Sequence, residues 1–220
     1  MHETTPLSLS MISHELKNPL TLMRSTLQII ESRYSEVSKD PLWAQIFSDM
    51  DYMSKLLTEL SVLGSGTVSK MTQINLYQII SEIKEMFAPE ICRQKKEFVL
   101  KCEKEMCMYG DALKIRQMLV NLIQNAVEAT VAGDVIEVLA EACEEWMRFR
   151  VCDTGCGIKT EQMATLFTPF VTHKLNGTGL GMVIIKNIVE SHQGDIQVES
   201  VENAGTQITI LLPIRKKGKI

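Results

Sequence analysis

Residues 9–30 read LSMISHELKNPLTLMRSTLQII. Leu9, Ile12, Leu16, Leu20, Met23, Leu27 and Ile30 recur in steps of three and four. That spacing lays one apolar stripe along a helix. At about 100° per residue, His14 points almost opposite the stripe. Asn18 lies one turn on, on the same outward face. A polar stretch, Glu31–Asp40, interrupts the pattern, and Pro41 suits the start of a second helix. Ile46, Met50, Met53, Leu57 and Leu60 form its stripe. Two such helices make a hairpin. A lone hairpin with narrow seams has too little core, whereas two hairpins bury each other's seams as a four-helix bundle. A homodimer is expected, the alternative being a hairpin packed on the second half of its own chain.

The grammar changes after residue 64. Gly64–Lys70, GSGTVSK, is small and polar and reads as a linker. Helices are expected over Tyr77–Arg93, over Asp111–Val131 with Asp111 as cap, and near Leu180–His192. Strands are expected over Glu97–Lys101, Met106–Tyr109, Val135–Glu141, Met147–Cys152, Asp195–Ser200 and Gln207–Leu212. No regular βαβ rhythm joins them, which favours a layered α+β sandwich over a doubly wound sheet. The expected organisation is a hairpin over 1–64, a linker over 65–71 and a sandwich domain over 72–220.

The formal charge of -4 gives no basic excess, so nucleic acid is not an expected partner. Six cysteines are scattered without a C-x-x-C pair. They read as reduced, mostly buried small hydrophobes, which fits the cytosol. No apolar run approaches the length of a membrane span, and Met1–Ser8 is too polar for a signal peptide. The fragment is expected to be cytoplasmic and without membrane contact. Its start almost directly on a helix points to a missing upstream part.

His14 is followed by Glu15, and Pro19 sits within the helix. Proline removes a helical hydrogen bond, frees a carbonyl one turn back and bends the chain near His14. A neutral imidazole is nucleophilic, and an adjacent carboxylate can take up its developing charge. Ser13-His-Glu-Leu-Lys-Asn-Pro-Leu20 resembles the H box of the histidine kinases. That resemblance makes His14 the phosphoacceptor, Glu15 its acidic base partner and Asn18 a position used in the reverse, phosphatase reaction.

A phosphoryl donor site must lie elsewhere. No G-x-x-x-x-G-K-[ST] run is present, which excludes a P-loop, and the protein-kinase motif set is absent. Gly177-Thr-Gly-Leu-Gly181 follows a loop containing proline rather than a strand, against a dinucleotide fingerprint. A glycine-rich turn opening a helix can still hold phosphate through its backbone N–H groups. Asn121-Leu-Ile-Gln-Asn125, Asp153-Thr-Gly-Cys-Gly157, Phe167-Thr-Pro-Phe170 and Gly177–Gly181 resemble, in order, the N, G1, F and G2 boxes. These belong to the ATP-binding fold that histidine kinases share with gyrase and Hsp90.

The resemblance implies ATP and Mg2+ as cofactors, with Asn121 on the N-box face and Asn125 as the metal ligand. Asp153 would accept from the adenine amino group, with Gly155 and Gly157 of the same box among the nucleotide-binding residues. Gly177, Thr178, Gly179, Leu180 and Gly181 would form the phosphate lid, Lys174 would neutralise phosphate charge, and Thr206 would lie near adenine. Glutamate activates water in the hydrolysing relatives at the position of Asn121, so histidine is the expected phosphate acceptor here. Glu128 departs from the basic or aromatic residue common in the family.

The motif phrasing looks most like the sporulation sensor kinases of bacilli. It implies autophosphorylation of His14 and transfer to an aspartate on a response regulator receiver domain, feeding a sporulation phosphorelay. The exposed hairpin face offers a place for a small protein inhibitor. The missing upstream part would be a sensor, and could anchor the full-length protein in a membrane. The alternatives are a degenerate kinase that only docks partners, and a plain ATPase of the gyrase and Hsp90 type.

Overall fold

The first apolar stripe is helical over Leu9–Arg33 (α1) in the computed structural model, which describes residues 9–64, 70–174 and 177–214. A short 3-10 turn, Ser35–Lys39, fills the interrupting stretch. The Asp40 side chain then accepts from the Leu42 N–H at 2.9 Å and opens the second helix, Pro41–Gly64 (α2). Pro19 lies inside α1, as the sequence requires.

The chain divides into two compact units. One comprises Met1–Thr67 and Pro169–Ile184, the other Val68–Thr168 and Ile185–Ile220. In the first, Leu20, Met50 and Leu57 are buried, with Leu27 packed on them. Arg24 pairs with Asp51 and lies over the Phe47 ring at 5.6 Å from its centroid. Gly64 closes the hairpin: a Cβ there would come within 2.4 Å of the Leu9 Cβ. Leu9, Ile12, Leu16, Met23, Ile46 and Met53 remain exposed on the single chain, so one hairpin buries only part of each stripe.

The second unit is built on helices and a mixed sheet. The helices are Leu76–Arg93 (α3), Ala112–Ala129 (α4), the single turn Thr160–Met163 (α5) and Gly181–Ser191 (α6), which begins at the end of the first unit. Met71–Asn75 (β1) pairs antiparallel with Cys107–Asp111 (β3). Glu97–Cys102 (β2), Val135–Cys143 (β4), Trp146–Asp153 (β5), Asp195–Val201 (β6) and Gly205–Pro213 (β7) form a five-stranded sheet ordered β2-β4-β5-β7-β6. Among the described residues of this sheet, only the β2–β4 pair is parallel.

Alternation along the strands sends Ile136, Val138, Phe149, Val151, Ile208 and Ile210 into the core. Ile115, Met118, Leu119, Leu122 and Ile123 of α4 are buried with them. Asp111 caps α4 by accepting from the N–H groups of Leu113 and Lys114, the arrangement its side chain favours. This is the α+β sandwich expected from the sequence, preceded by the helical hairpin. Among the described residues, no helix is long and apolar enough to cross a membrane.

Two expectations need correction. Most of the linker expected over 65–71 lies outside the described residues, but Met71 is the first residue of β1. That strand is too short and mixed to show period-two alternation; it exists because β3 pairs with it. The six cysteines are free, yet none is buried: Cys92, Cys107 and Cys156 are exposed and Cys102, Cys143 and Cys152 half-buried. Cys92, Cys102, Cys107 and Cys143 sit at or beside element ends, Cys152 next to the end of β5 and Cys156 in the loop after it, where less covers them.

A buried lysine ties the frame to α4. Lys96 is 8% exposed, and its ammonium donates to the Val127 carbonyl at 2.6 Å. Burial lowers its pKa from the ordinary lysine value. The bond satisfies a carbonyl in the last turn of α4 with a positive charge, the sign a helix C-terminus favours. Lys96→Met is expected to destabilise the fold by roughly 1–3 kcal/mol, read as a lower midpoint in urea. An unchanged midpoint would remove Lys96 from this role.

Candidate functional site

His14, Glu15 and Asn18 all lie exposed on α1. Proline at position 19 has no N–H to give, so the Glu15 carbonyl loses its usual intrahelical donor. Ser13, directly before His14, is buried, and its hydroxyl donates to the Leu9 carbonyl at 2.7 Å. The helix therefore packs on one side of the histidine and offers the imidazole to solvent on the other.

The glycine loop belongs to the same unit. Gly179 has a φ of 69°, and a Cβ there would lie 2.6 Å from the Phe170 carbonyl carbon. The Phe170 N–H donates to the Gly179 carbonyl at 3.2 Å, closing the loop on itself. Gly177 N–H donates to the Lys174 carbonyl at 3.2 Å, and the Lys174 N–H donates to the Thr172 hydroxyl at 3.2 Å. Lys174 is exposed, Gly177, Gly179 and Gly181 half-buried, and Thr178 and Leu180 buried. Gly181 starts α6, so the loop ends at a helix N-terminus. The segment before it is irregular rather than a strand, which excludes the dinucleotide fingerprint.

Sequence reasoning missed one member of this cluster. Glu59 of α2 is 7% exposed, and its carboxyl accepts a hydrogen bond from the Thr178 hydroxyl. Glu59 carried no signal in the sequence. It sits off the apolar stripe, where a carboxylate reads as a solvated side chain.

The second cluster is built around the C-terminus of α4, in the other unit. The Ala129 carbonyl accepts from the Cys156 N–H at 3.0 Å. A Cβ on Gly155 would lie 2.2 Å from that carbonyl oxygen, so only glycine permits the approach. Asp153 ends β5, and its Oδ1 accepts from the Gly155 N–H at 3.0 Å. Gly157 has a φ of 64° and passes so close to the Val201 carbonyl that a Cβ would lie 2.0 Å from its oxygen.

Asp153 and Thr206 are partners across β5 and β7. Gly205 and Thr206 open β7 rather than precede it. The Ser200 hydroxyl lies 2.9 Å from the Thr206 hydroxyl and accepts from the Ile158 N–H at 2.8 Å. Ser200 is the second residue that sequence reasoning missed.

Asn121 and Asn125 stand one turn apart on α4 and are both half-buried. The Asn121 Nδ2 is shielded from solvent and, among the described residues, has no hydrogen-bond partner. A shielded amide donor without an acceptor is costly. An incoming oxygen anion or an ordered water would satisfy it. Glu128 is exposed and accepts from the Gln124 amide at 2.7 Å.

Two families of known proteins match this chain. The His Kinase A (phospho-acceptor) domain matches residues 8–66. The family described as histidine kinase-, DNA gyrase B- and HSP90-like ATPase matches residues 110–216, which makes that region an ATP-binding domain. The signal transduction histidine-protein kinase AtoS of Escherichia coli is 28% identical over 94% of this chain and 34% of its own length. Sporulation kinase D of Bacillus subtilis is 31% identical over 92% of this chain and 40% of its length. Sporulation kinase B of Bacillus subtilis is one of several such relatives, 28% identical over 92% of this chain and 48% of its length. The nucleotide-free catalytic domain of histidine kinase ThkA superposes with a TM-score of 0.61 at 33% identity, over 66% of this chain and 96% of that one. The chain spans less than half the length of these curated relatives.

Thiol chemistry distinguishes the exposed cysteines from the half-buried ones of the sheet. Burial, with help from Glu103, pushes the Cys102 thiol up to about 11, and burial also raises Cys152. The thiolate is the reactive form. At about pH 8, iodoacetamide is expected to modify exposed Cys92, Cys107 and Cys156 before Cys102 and Cys152, read by peptide mass mapping. Equal rates at all five would contradict the assigned environments.

Proposed function

The chain belongs to the sensor histidine kinases, and from that premise we propose that it phosphorylates its own His14 from Mg-ATP and passes the phosphoryl group to a response regulator aspartate. The observation that carries the nucleotide half of this reading is the shielded Asn121 amide on α4, which has no partner among the described residues. It is a donor suited to a phosphate oxygen or a metal-bound water. The phosphoacceptor half rests on His14, exposed between a buried Ser13 and the carboxylate of Glu15.

Each residue has a chemical task. Asp153 accepts from the adenine amino group, held in place by the Gly155 N–H. Gly157 shapes the same loop, and Thr206 flanks adenine from the neighbouring strand. The Asn125 side-chain oxygen is a ligand suited to a hard cation. Bound Mg2+ supplies positive charge that offsets the developing charge on the phosphoryl oxygens. Lys174, Gly177, Thr178, Gly179, Leu180 and Gly181 supply a cation, backbone N–H groups and a hydroxyl to the phosphates. A His14 ring nitrogen attacks the terminal phosphorus while the bond to the bridging oxygen breaks and ADP leaves. Glu15 takes up the charge on the ring. Asn121 is a poor base, so water is not activated in competition.

Asn18 serves the reverse route, in which phosphate leaves the regulator as inorganic phosphate. The exposed apolar residues of α1 and α2, Leu16, Met23 and Met53 among them, are covered by a second copy in a homodimer. Sporulation kinases D and B among the relatives support a regulator that feeds a sporulation phosphorelay. The hairpin surface would also serve a small inhibitory protein, and a sensor region upstream would supply the signal.

Incubation with labelled ATP and Mg2+ is expected to give an acid-labile, base-stable label that disappears in His14→Gln. A label that persists in that variant, or none on intact protein that binds ATP, contradicts the assignment. Asp153→Asn is expected to weaken ATP binding roughly tenfold or more, with the circular dichroism spectrum unchanged. Wild-type affinity in that variant would mean that adenine binds elsewhere.

A further inference from the structure

Thr178 is the centre of a buried polar cluster that phosphoryl transfer does not explain. Its hydroxyl donates to the Glu59 carboxyl of α2. The same oxygen accepts from the Leu180 N–H at 3.3 Å. Thr178 is 6% exposed, Glu59 7% and Leu180 fully buried. A hydroxyl has one hydrogen to donate. While Thr178 donates to Glu59, it cannot donate to a phosphate oxygen. The Leu180 N–H, just before the start of α6, is engaged as well. Two donors that a helix N-terminus would turn toward an anion are thus satisfied inside the unit.

We infer that Glu59 is a latch: its carboxyl occupies the Thr178 hydroxyl in place of a nucleotide phosphate, so α2 and ATP compete for the glycine loop. This rests on Thr178 as a phosphate contact. The chemistry is a like-for-like exchange, because a carboxyl oxygen and a phosphate oxygen are both acceptors for the same hydroxyl. The apparent affinity for ATP is then the intrinsic affinity reduced by the fraction of molecules whose loop is released. Coupling of this kind is reciprocal. ATP binding releases the glycine loop from α2, and any movement of α2 that withdraws Glu59 raises the affinity for ATP. The hairpin that carries the phosphoacceptor thereby controls loading of the donor.

The test is ATP affinity of the full chain with Mg2+, by titration calorimetry, for Glu59→Ala, Thr178→Val and the double variant. Glu59→Ala is expected to bind roughly tenfold more tightly than the wild type, the order of one hydrogen bond to a charged group. In the Glu59→Ala background, Thr178→Val is expected to weaken binding severalfold, because only the phosphate contact is then lost. In the Thr178→Val background, removing Glu59 is expected to change nothing. Glu59→Gln keeps the size and an acceptor oxygen, and is expected to tighten binding by less than Glu59→Ala; it serves if the alanine variant does not fold. Unchanged or weaker binding in both Glu59 variants, with the double variant still weaker than Glu59→Ala, overturns the latch and leaves Thr178 on the phosphate. Equal affinity of Glu59→Ala and the double variant overturns the phosphate contact itself, and the latch with it. Tightening by Glu59→Ala that persists in the Thr178→Val background overturns the latch by showing that Glu59 acts through another group.

Discussion

The approach of Gly155 to the C-terminus of α4 is the constraint on which the proposed nucleotide-binding face depends. The Ala129 carbonyl is at once the acceptor for the Cys156 N–H and the surface against which Gly155 lies. No side chain fits between them. That contact fastens the loop carrying Asp153 to the helix carrying Asn121 and Asn125. Lys96 holds the same end of the helix through the Val127 carbonyl. A second close approach, Gly157 on the Val201 carbonyl, fastens the loop to the β6–β7 hairpin that carries Thr206. The loop that carries Asp153 is therefore set by backbone contacts that tolerate no Cβ. Preorganisation of this kind lets a site bind charge without reorganising when the ligand arrives.

The hairpin unit works by a different economy. Its core is thin: Leu20, Met50 and Leu57 are buried, while half of each apolar stripe faces outward. A seam left open in one copy is material for association. Burial of Ser13 and exposure of His14 on the same turn follow from one helix face being packed and the other free. The glycine loop adds a buried polar contact to this unit, at Glu59 and Thr178. Buried polar pairs contribute little net stability, and one that is broken leaves an unsatisfied group. Such a pair suits a contact that must exchange partners.

Much of this was legible in the sequence. Helical periodicity placed α1 and α2 within a few residues, because the apolar stripes alternate cleanly in steps of three and four. Asp111 announced α4 as a cap, and alternation announced β4, β5 and β7, whose inner faces are fully buried. β1 was missed because five residues of mixed polarity owe their strand conformation to β3, a partner distant in sequence. The motif residues of the proposed nucleotide face were visible in the sequence as residue types in order. Their supports were not: Ser200 beside Thr206 is a tertiary fact, and Gly155 read as a ligand-binding glycine although its immediate role is to let a loop touch a helix end. Glu59 was illegible for a similar reason. A carboxylate one step off an apolar stripe reads as solvated until another segment of chain covers it.

The central claim is that the Gly155 contact holds the nucleotide-binding face together, and Gly155→Ala tests it most directly. ATP affinity would be measured by titration calorimetry beside a thermal unfolding curve on the same sample. The account predicts a folded protein with a lowered midpoint, and ATP binding weakened by at least about tenfold, because the added methyl displaces the Asp153 loop from α4. ATP binding at wild-type affinity in a folded Gly155→Ala protein would contradict it.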